Sequence, residues 1–98
     1  MTTPNSFNEL QKWYLAQCNG DWEHQFGIVI ETLDNPGWSL KIDLTDTSIE
    51  RKPFTEIALE RDEQDWIFCT VESKQFKGSC GPKNLIEMLA LFLGWAKE

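Results

Sequence analysis

The sequence predicts an α+β domain. It is read as a four-stranded antiparallel meander with an N-terminal and a C-terminal helix packed on one face, in the order α-β-β-β-β-α. Three observations predict it. Apolar residues recur at helical spacing near both ends of the chain. Between them the period drops to two, in four runs joined by short turns. The C-terminal helical stretch is apolar over too wide an arc for a sheet alone to cover. It needs a second neighbour, most simply the N-terminal helix and otherwise another subunit. The 98 residues form a single domain, 1–98. Five tryptophans and six phenylalanines can fill most of a core this small.

Each element has its own signal. Ser6-Phe7-Asn8-Glu9 fits a capping box, and Phe7, Leu10 and Tyr14 follow at helical spacing with Trp13 beside them. A helix over Ser6 to Gln17 follows, ended by Asn19-Gly20, which tolerate positive φ. The first strand is GIVIETL (Gly27–Leu33) and the second WSLKIDL (Trp38–Leu44). Pro36-Gly37 between them suits the centre of a type II turn, with φ > 0 at Gly37. Trp38, Leu40, Ile42 and Leu44 point one way; Ser39, Lys41 and Asp43 point the other. A second hairpin runs from FTEIALERD (Phe54–Asp62) to WIFCTVES (Trp66–Ser73). The last helix starts with Gly81 as N-cap and Pro82 at its first position. Leu85, Met88, Leu89, Phe92, Trp95 and Ala96 make one stripe of it, and Ile86, Ala90 and Leu93 a second.

Composition narrows the function. A net charge of −7 argues against a nucleic-acid partner and suits a basic protein. No apolar run reaches membrane-spanning length, so no membrane partner is expected. MTTPNSFNEL lacks the basic and apolar regions of a leader. Three cysteines without a CxxC pair point to reduced thiols and a cytoplasmic location.

Three stretches invite a chemical reading. CNGDWEHQFG (Cys18–Gly27) brings Cys18, Asp21, Glu23 and the only histidine, His24, close in sequence. Its spacing matches no zinc motif, and a Cys18–His24 pair has no marked oxyanion hole. It reads as a helix-to-strand connection. In that connection Asp21 and Glu23 are solvated or bonded to main-chain N–H, Trp22 is buried, and His24 leads into the strand. KGSCGPKNL (Lys77–Leu85) places glycines before a helix, but without a phosphate-loop pattern. It reads as a tight turn with Gly78 and Gly81 present for conformation, and Cys80 is a candidate for a lowered thiol pKa. No catalytic, cofactor or metal residue is assigned. The third stretch is acidic: eight of the sixteen carboxylates lie from Asp43 to Asp65. Glu31, Asp43, Glu56 and Glu60 stand opposite the apolar positions of their strands. A sheet covered on one face would present them together on the other. With Asp62 they form the expected centre of a partner surface, with Asp21, Glu23 and His24 at its edge.

The order of motifs resembles the immunity protein 53 family of bacterial polymorphic toxin systems. The carriers are Trp13-Tyr14, Cys18 to Gly27, Thr32 to Trp38, Asp65-Trp66, Phe76, Gly78, Gly81-Pro82, Asn84-Leu85, Phe92-Leu93 and Trp95. The resemblance implies a non-enzymatic α+β protein without a cofactor. Such a protein binds a cognate toxin in the producer's cytosol, and a nuclease with a basic cleft is one toxin class an acidic inhibitor would fit. The five tryptophans of the motif would fill the core, leaving specificity to the acidic run and the turns. Monomer and homodimer both remain open. Two other classes stand beside this reading: a small ligand-binding or regulatory module, and a rhodanese-like sulfurtransferase. The second needs a parallel sheet and a donor-rich cysteine loop that the sequence does not show.

Overall fold

A computed structural model of the chain describes residues 5–98. Residues 1–4, part of the stretch read as lacking a leader, lie outside the described residues. The elements are α1 (Ser6–Gln17), α2 (Trp22–Gln25), β1 (Ile28–Leu33), β2 (Gly37–Asp43), β3 (Ile57–Asp62), β4 (Asp65–Glu72), β5 (Gln75–Cys80) and α3 (Leu85–Lys97). The α+β class, the antiparallel sheet and both terminal helices agree with the sequence reading.

The sheet has five strands, not four, and it is not a simple meander. Its order is β1-β2-β5-β4-β3, antiparallel throughout. The additional strand, β5, sits at the centre and was expected to be a turn. It turns Phe76, Gly78 and Cys80 inward, all buried, directly beneath α3. Gly78 lets the helix approach: a Cβ there would stand 2.7 Å from Met88 Sδ. β3, in which every residue after Ile57 is exposed, takes an outer edge. Residues 44–56 carry the chain from β2 to that edge, held by the buried Leu44 and Ile49 and by Phe54.

α1 and α3 pack side by side in opposite directions: Glu9 meets Lys97 at 3.2 Å, and the Trp13 and Phe92 rings lie 5.1 Å apart. The wide apolar arc of α3 is therefore shared between the sheet and α1, although Ile86 stays exposed. Phe76, Phe92, Trp95 and Phe54 form the aromatic centre of the core, mostly edge to face. The Lys52 ammonium donates to the main-chain oxygens of Trp95 (2.6 Å) and Glu98 (2.8 Å), placing a cation at the negative end of α3.

Local signals differ from expectation in four places. The N-cap of α1 is Asn5, whose Oδ1 accepts the Asn8 N–H at 3.1 Å; Ser6 is buried instead. α3 begins at Leu85 rather than at Pro82, after an Asn84 N-cap. Gly37 has no positive φ; it opens β2, where a Cβ would strike the Cys80 carbonyl across the ladder. α2 is an unforeseen single turn. Gly20 does adopt positive φ, at 95°.

Candidate functional site

With both long helices on one side, none of the described elements covers the other side of the sheet. Cross-strand register arranges its side chains in rows. One row runs Glu31, Ser39, Ser79, Phe68, Ala58 from edge to edge. The next runs Val29, Lys41, Lys77, Thr70, and a third Asp43, Gln75, Glu72. Trp66 pairs with Glu60 beyond Phe68.

These rows do not bring the predicted acids into one cluster. Glu31 lies on β1 and Glu60 on β3, the two outer edges, with Glu56 just before β3. That is four strand spacings, roughly 19 Å at about 4.8 Å each. The insertion of β5 separates them and sets Lys77 beside Lys41 at the centre of the face. Lys77 also bonds Glu72 at 2.9 Å. The face is thus mixed in charge at its centre and acidic toward β3. Asp43 is held in place, accepting from the Gly27 N–H (2.9 Å) and the Gln75 side chain (2.7 Å). Asp62 ends β3 and accepts the Gln64 N–H of the following turn at 2.8 Å. Sequence reasoning missed Trp66 and Phe68 as surface groups. Phe68 is 40% exposed and shares a depression with Glu56, Thr70, Glu72, Lys77 and Ser79. Trp66 lines the next depression with Glu60, Arg61, Asp62 and Glu63. Their odd spacing from the inward Ile67, Cys69 and Val71 was the available signal.

The stretch from Cys18 to Gly27 is a closed turn. Asn19 Oδ1 accepts the N–H groups of Asp21 and Trp22, both at 3.0 Å. Glu23 reaches back to the N–H groups of Asn19 (2.9 Å) and Gly20 (2.8 Å). Its own main-chain N–H, with those of Asn19 and Gly20, holds the Glu23 carboxyl below the usual range. Trp22 is buried against Trp13 and Tyr14 and donates its indole N–H to the Thr45 carbonyl at 2.9 Å. The turn therefore belongs to the helical layer. Asp21 and His24 are exposed there. Among the described residues no three His, Cys, Asp or Glu side chains gather as a metal-holding group.

Lys77 to Leu85 is also structural. The Gly81 N–H bonds the Trp66 carbonyl at 2.9 Å, and a Cβ at Gly81 would lie 2.8 Å from Asn84 Oδ1. Space, and not positive φ, calls for glycine at 78 and 81. The Pro82 carbonyl accepts the Trp38 indole N–H at 3.0 Å. Buried Asn84 accepts the Trp66 N–H (3.2 Å) and donates to Asp65 (2.8 Å) and Glu87 (3.3 Å). Arg61 closes the cluster with bonds to Asp65 (2.9 Å) and Glu87 (2.6 Å). Asn84 first, then Arg61, holds the Asp65 carboxyl low; Arg61 does the same for Glu87. Cys80 is not activated. Burial pushes its thiol up to about 11 and that of Cys69 up to about 12, so both stay protonated near neutral pH. Cys18 Sγ donates to the Tyr14 carbonyl at 3.3 Å.

The fold and this surface define a small α+β protein that covers one sheet face with helices and offers the other outward. Among the described residues no helix is long and apolar enough to cross a membrane. The chain belongs to the immunity protein 53 family, whose model matches residues 7–97. Membership carries a toxin-neutralising role and a toxin partner. No curated protein and no solved structure matches the chain.

Proposed function

We propose that this chain neutralises its cognate toxin in the cytoplasm by binding alone, through the β3–β4 half of the open sheet face. One observation carries the reading: Trp66 and Phe68 stand on the uncovered face, rimmed by Glu56, Glu60 and Asp62. An aromatic anchor inside a charged rim is the usual anatomy of a binding hot spot. The acids steer a basic toxin surface into place, and the aromatic pair supplies the desolvated contact. A nuclease's phosphate path is basic and fits that rim. Glu31 and Asp43 extend the same face toward β1, while Asp21, Glu23 and His24 lie outside it in the helical layer. Binding needs no reaction centre, and the buried thiols of Cys69 and Cys80 support a non-enzymatic reading.

The test uses the toxin encoded beside this protein. Phe68→Ala is expected to weaken binding by about 30-fold or more, the scale of a hot-spot residue. Reversing Glu56 and Glu60 to Lys slows association and flattens its salt dependence. Both variants keep their circular dichroism spectra. Wild-type affinity and wild-type salt dependence in both would overturn the assignment.

A further inference from the structure

Among the described residues the sheet ends in two unpaired edges, β1 and β3, and they are built differently. Along an antiparallel strand, the main-chain groups of successive residues point to alternate sides. The Asp43 N–H bonds the Gly27 carbonyl at 3.1 Å. Val29, Glu31 and Leu33 therefore address β2, and the main-chain groups of Ile28, Ile30 and Thr32 point away from the sheet. At the other edge, the Gly81 bond to the Trp66 carbonyl turns Ile57 and Leu59 toward β4, leaving Ala58 and Glu60 facing outward. β3 carries devices that keep an edge single: an irregular register between Glu60 and Asp62, and charges at Glu60, Arg61 and Asp62. β1 has a regular register, no Pro, no Lys and one charge, Glu31. Such an edge is a template for strand addition. Beside it α1 leaves Phe7, Tyr14 and Leu15 exposed, Leu15 at 71%. A cleft of about 360 Å³ opens between Phe7, Gln11 and Tyr14 of α1 and Ile28 of β1.

We propose that β1 is where two copies of this chain pair, antiparallel about a two-fold axis through Ile30. The strand is self-complementary in that register. Ile30 faces Ile30 and Ile28 faces Thr32 of the second copy, so each outward N–H and C=O of β1 finds a partner. On the open face Val29 stands opposite Glu31 of the second copy, and no like charges face each other. Lys41, beside Val29 on β2, adds a cation to that row. On the helical side, Thr32 of the second copy lies against the cleft beneath Phe7 and Tyr14. Charge selects this occupant over a basic toxin strand, because β1 offers a basic partner only Glu31 while the acids of Glu56 to Glu63 lie at the far edge.

Sedimentation equilibrium of the full chain, from micromolar to millimolar, tests the pairing. A monomer–dimer equilibrium is expected. Val29→Glu, at a position 48% exposed, sets a carboxylate against Glu31 of the second copy and weakens the dimer; Val29→Lys tightens it. Each dimer contains the pair twice, which gives about 2- to 30-fold in the dissociation constant either way. Thr32→Pro removes an outward N–H without touching the β1–β2 ladder, and it too favours monomer. A monomer at every concentration would overturn the proposal. So would a dimer indifferent to both Val29 variants, or a monomer in which those variants impair toxin binding.

Discussion

Replacing Asn84 by Ala removes a side chain that ties β4 directly to the start of α3. Its Oδ1 accepts the Trp66 N–H, and its amide donates to Asp65 and Glu87. A main-chain N–H left without a partner beneath a buried residue costs about 1–3 kcal/mol. The two lost donations end on carboxylates that also bond Arg61, so they add about 1 kcal/mol together. The sum is about 2–4 kcal/mol. For a domain of this size that lowers the melting temperature by on the order of 10–20 °C. Urea titration at pH 7 should show the midpoint fall with an unchanged slope. Asn84→Asp separates hydrogen bonding from charge. It keeps an acceptor for Trp66 but sets a third carboxylate against Asp65 and Glu87. That raises its pKa in the folded state, so its penalty is present at neutral pH and shrinks as pH falls toward the unfolded carboxylate value near about 4. A loss below about 0.5 kcal/mol for Asn84→Ala, under the floor for an orphaned group, would refute this account. So would an Asn84→Asp penalty that ignores pH.

Other perturbations have equally definite outcomes. Gly94→Ala meets nothing within 4 Å and should stabilise α3 by about 0.5–1 kcal/mol in thermal melts. Gly81→Ala should destabilise by about 1–3 kcal/mol, because its Cβ runs into the Gln64 carbonyl. Glu9, Glu23, Glu50, Asp65, Glu72 and Glu87 all have folded-state pKa values below the ordinary range, through Lys97, main-chain N–H groups, the Asp46 N–H, Asn84, Lys77 and Arg61 respectively. Their contribution is complete above about pH 4–5 and is lost as pH falls through the lowered values, so melting temperature should hold from pH 8 to 6 and drop steeply in acid. A thiosulfate:cyanide assay should show no turnover that Cys80→Ser abolishes, since that thiol is buried and protonated. His24→Gln should leave protection in a co-expression assay unchanged.

Both long helices were legible because their signals are local. Leu10 and Trp13 at helical spacing, and the stripe from Leu85 to Trp95, define faces that any packing must bury. Strand number was not legible. The β4–β5 hairpin turns on Ser73 and Lys74, which hold positive φ (52° and 59°) without the Asn or Gly that announces a two-residue turn. β5 carries Phe76, Gly78 and Cys80 inward, and a glycine at its middle position reads as a loop. Missing that strand also misplaced the acids. Alternation along each strand correctly put Glu31, Asp43 and Glu60 on one face. Their distance apart depends on lateral strand order, which long-range pairing decides and no local pattern records. The glycines show the same divide: Gly20 answers to local conformation, while Gly37, Gly78 and Gly81 answer to neighbours distant in sequence.

The motif residues that place this chain in its family serve the scaffold. Trp22, Trp38 and Trp95 donate their indole N–H groups to the carbonyls of Thr45, Pro82 and Pro53, tying three connections to the core. Gly81, Asn84 and Asp65 lock α3 to β4. Along β4 itself the two duties alternate. Ile67, Cys69 and Val71 face the core, while Phe68 and Thr70 face outward. A strand that separates packing from recognition at every second residue lets the outward set change while the inward set stays fixed. Under the proposed binding mode, specificity would be set at Phe68, Glu56 and Glu60, outside the motif. Trp66 is the exception: it belongs to the motif, bonds Asn84 through its main chain, and turns its side chain to the open face. Trp66→Ala should therefore weaken toxin binding while its Asn84 bond persists. Trp22→Ala should unfold the protein before any effect on binding can be read.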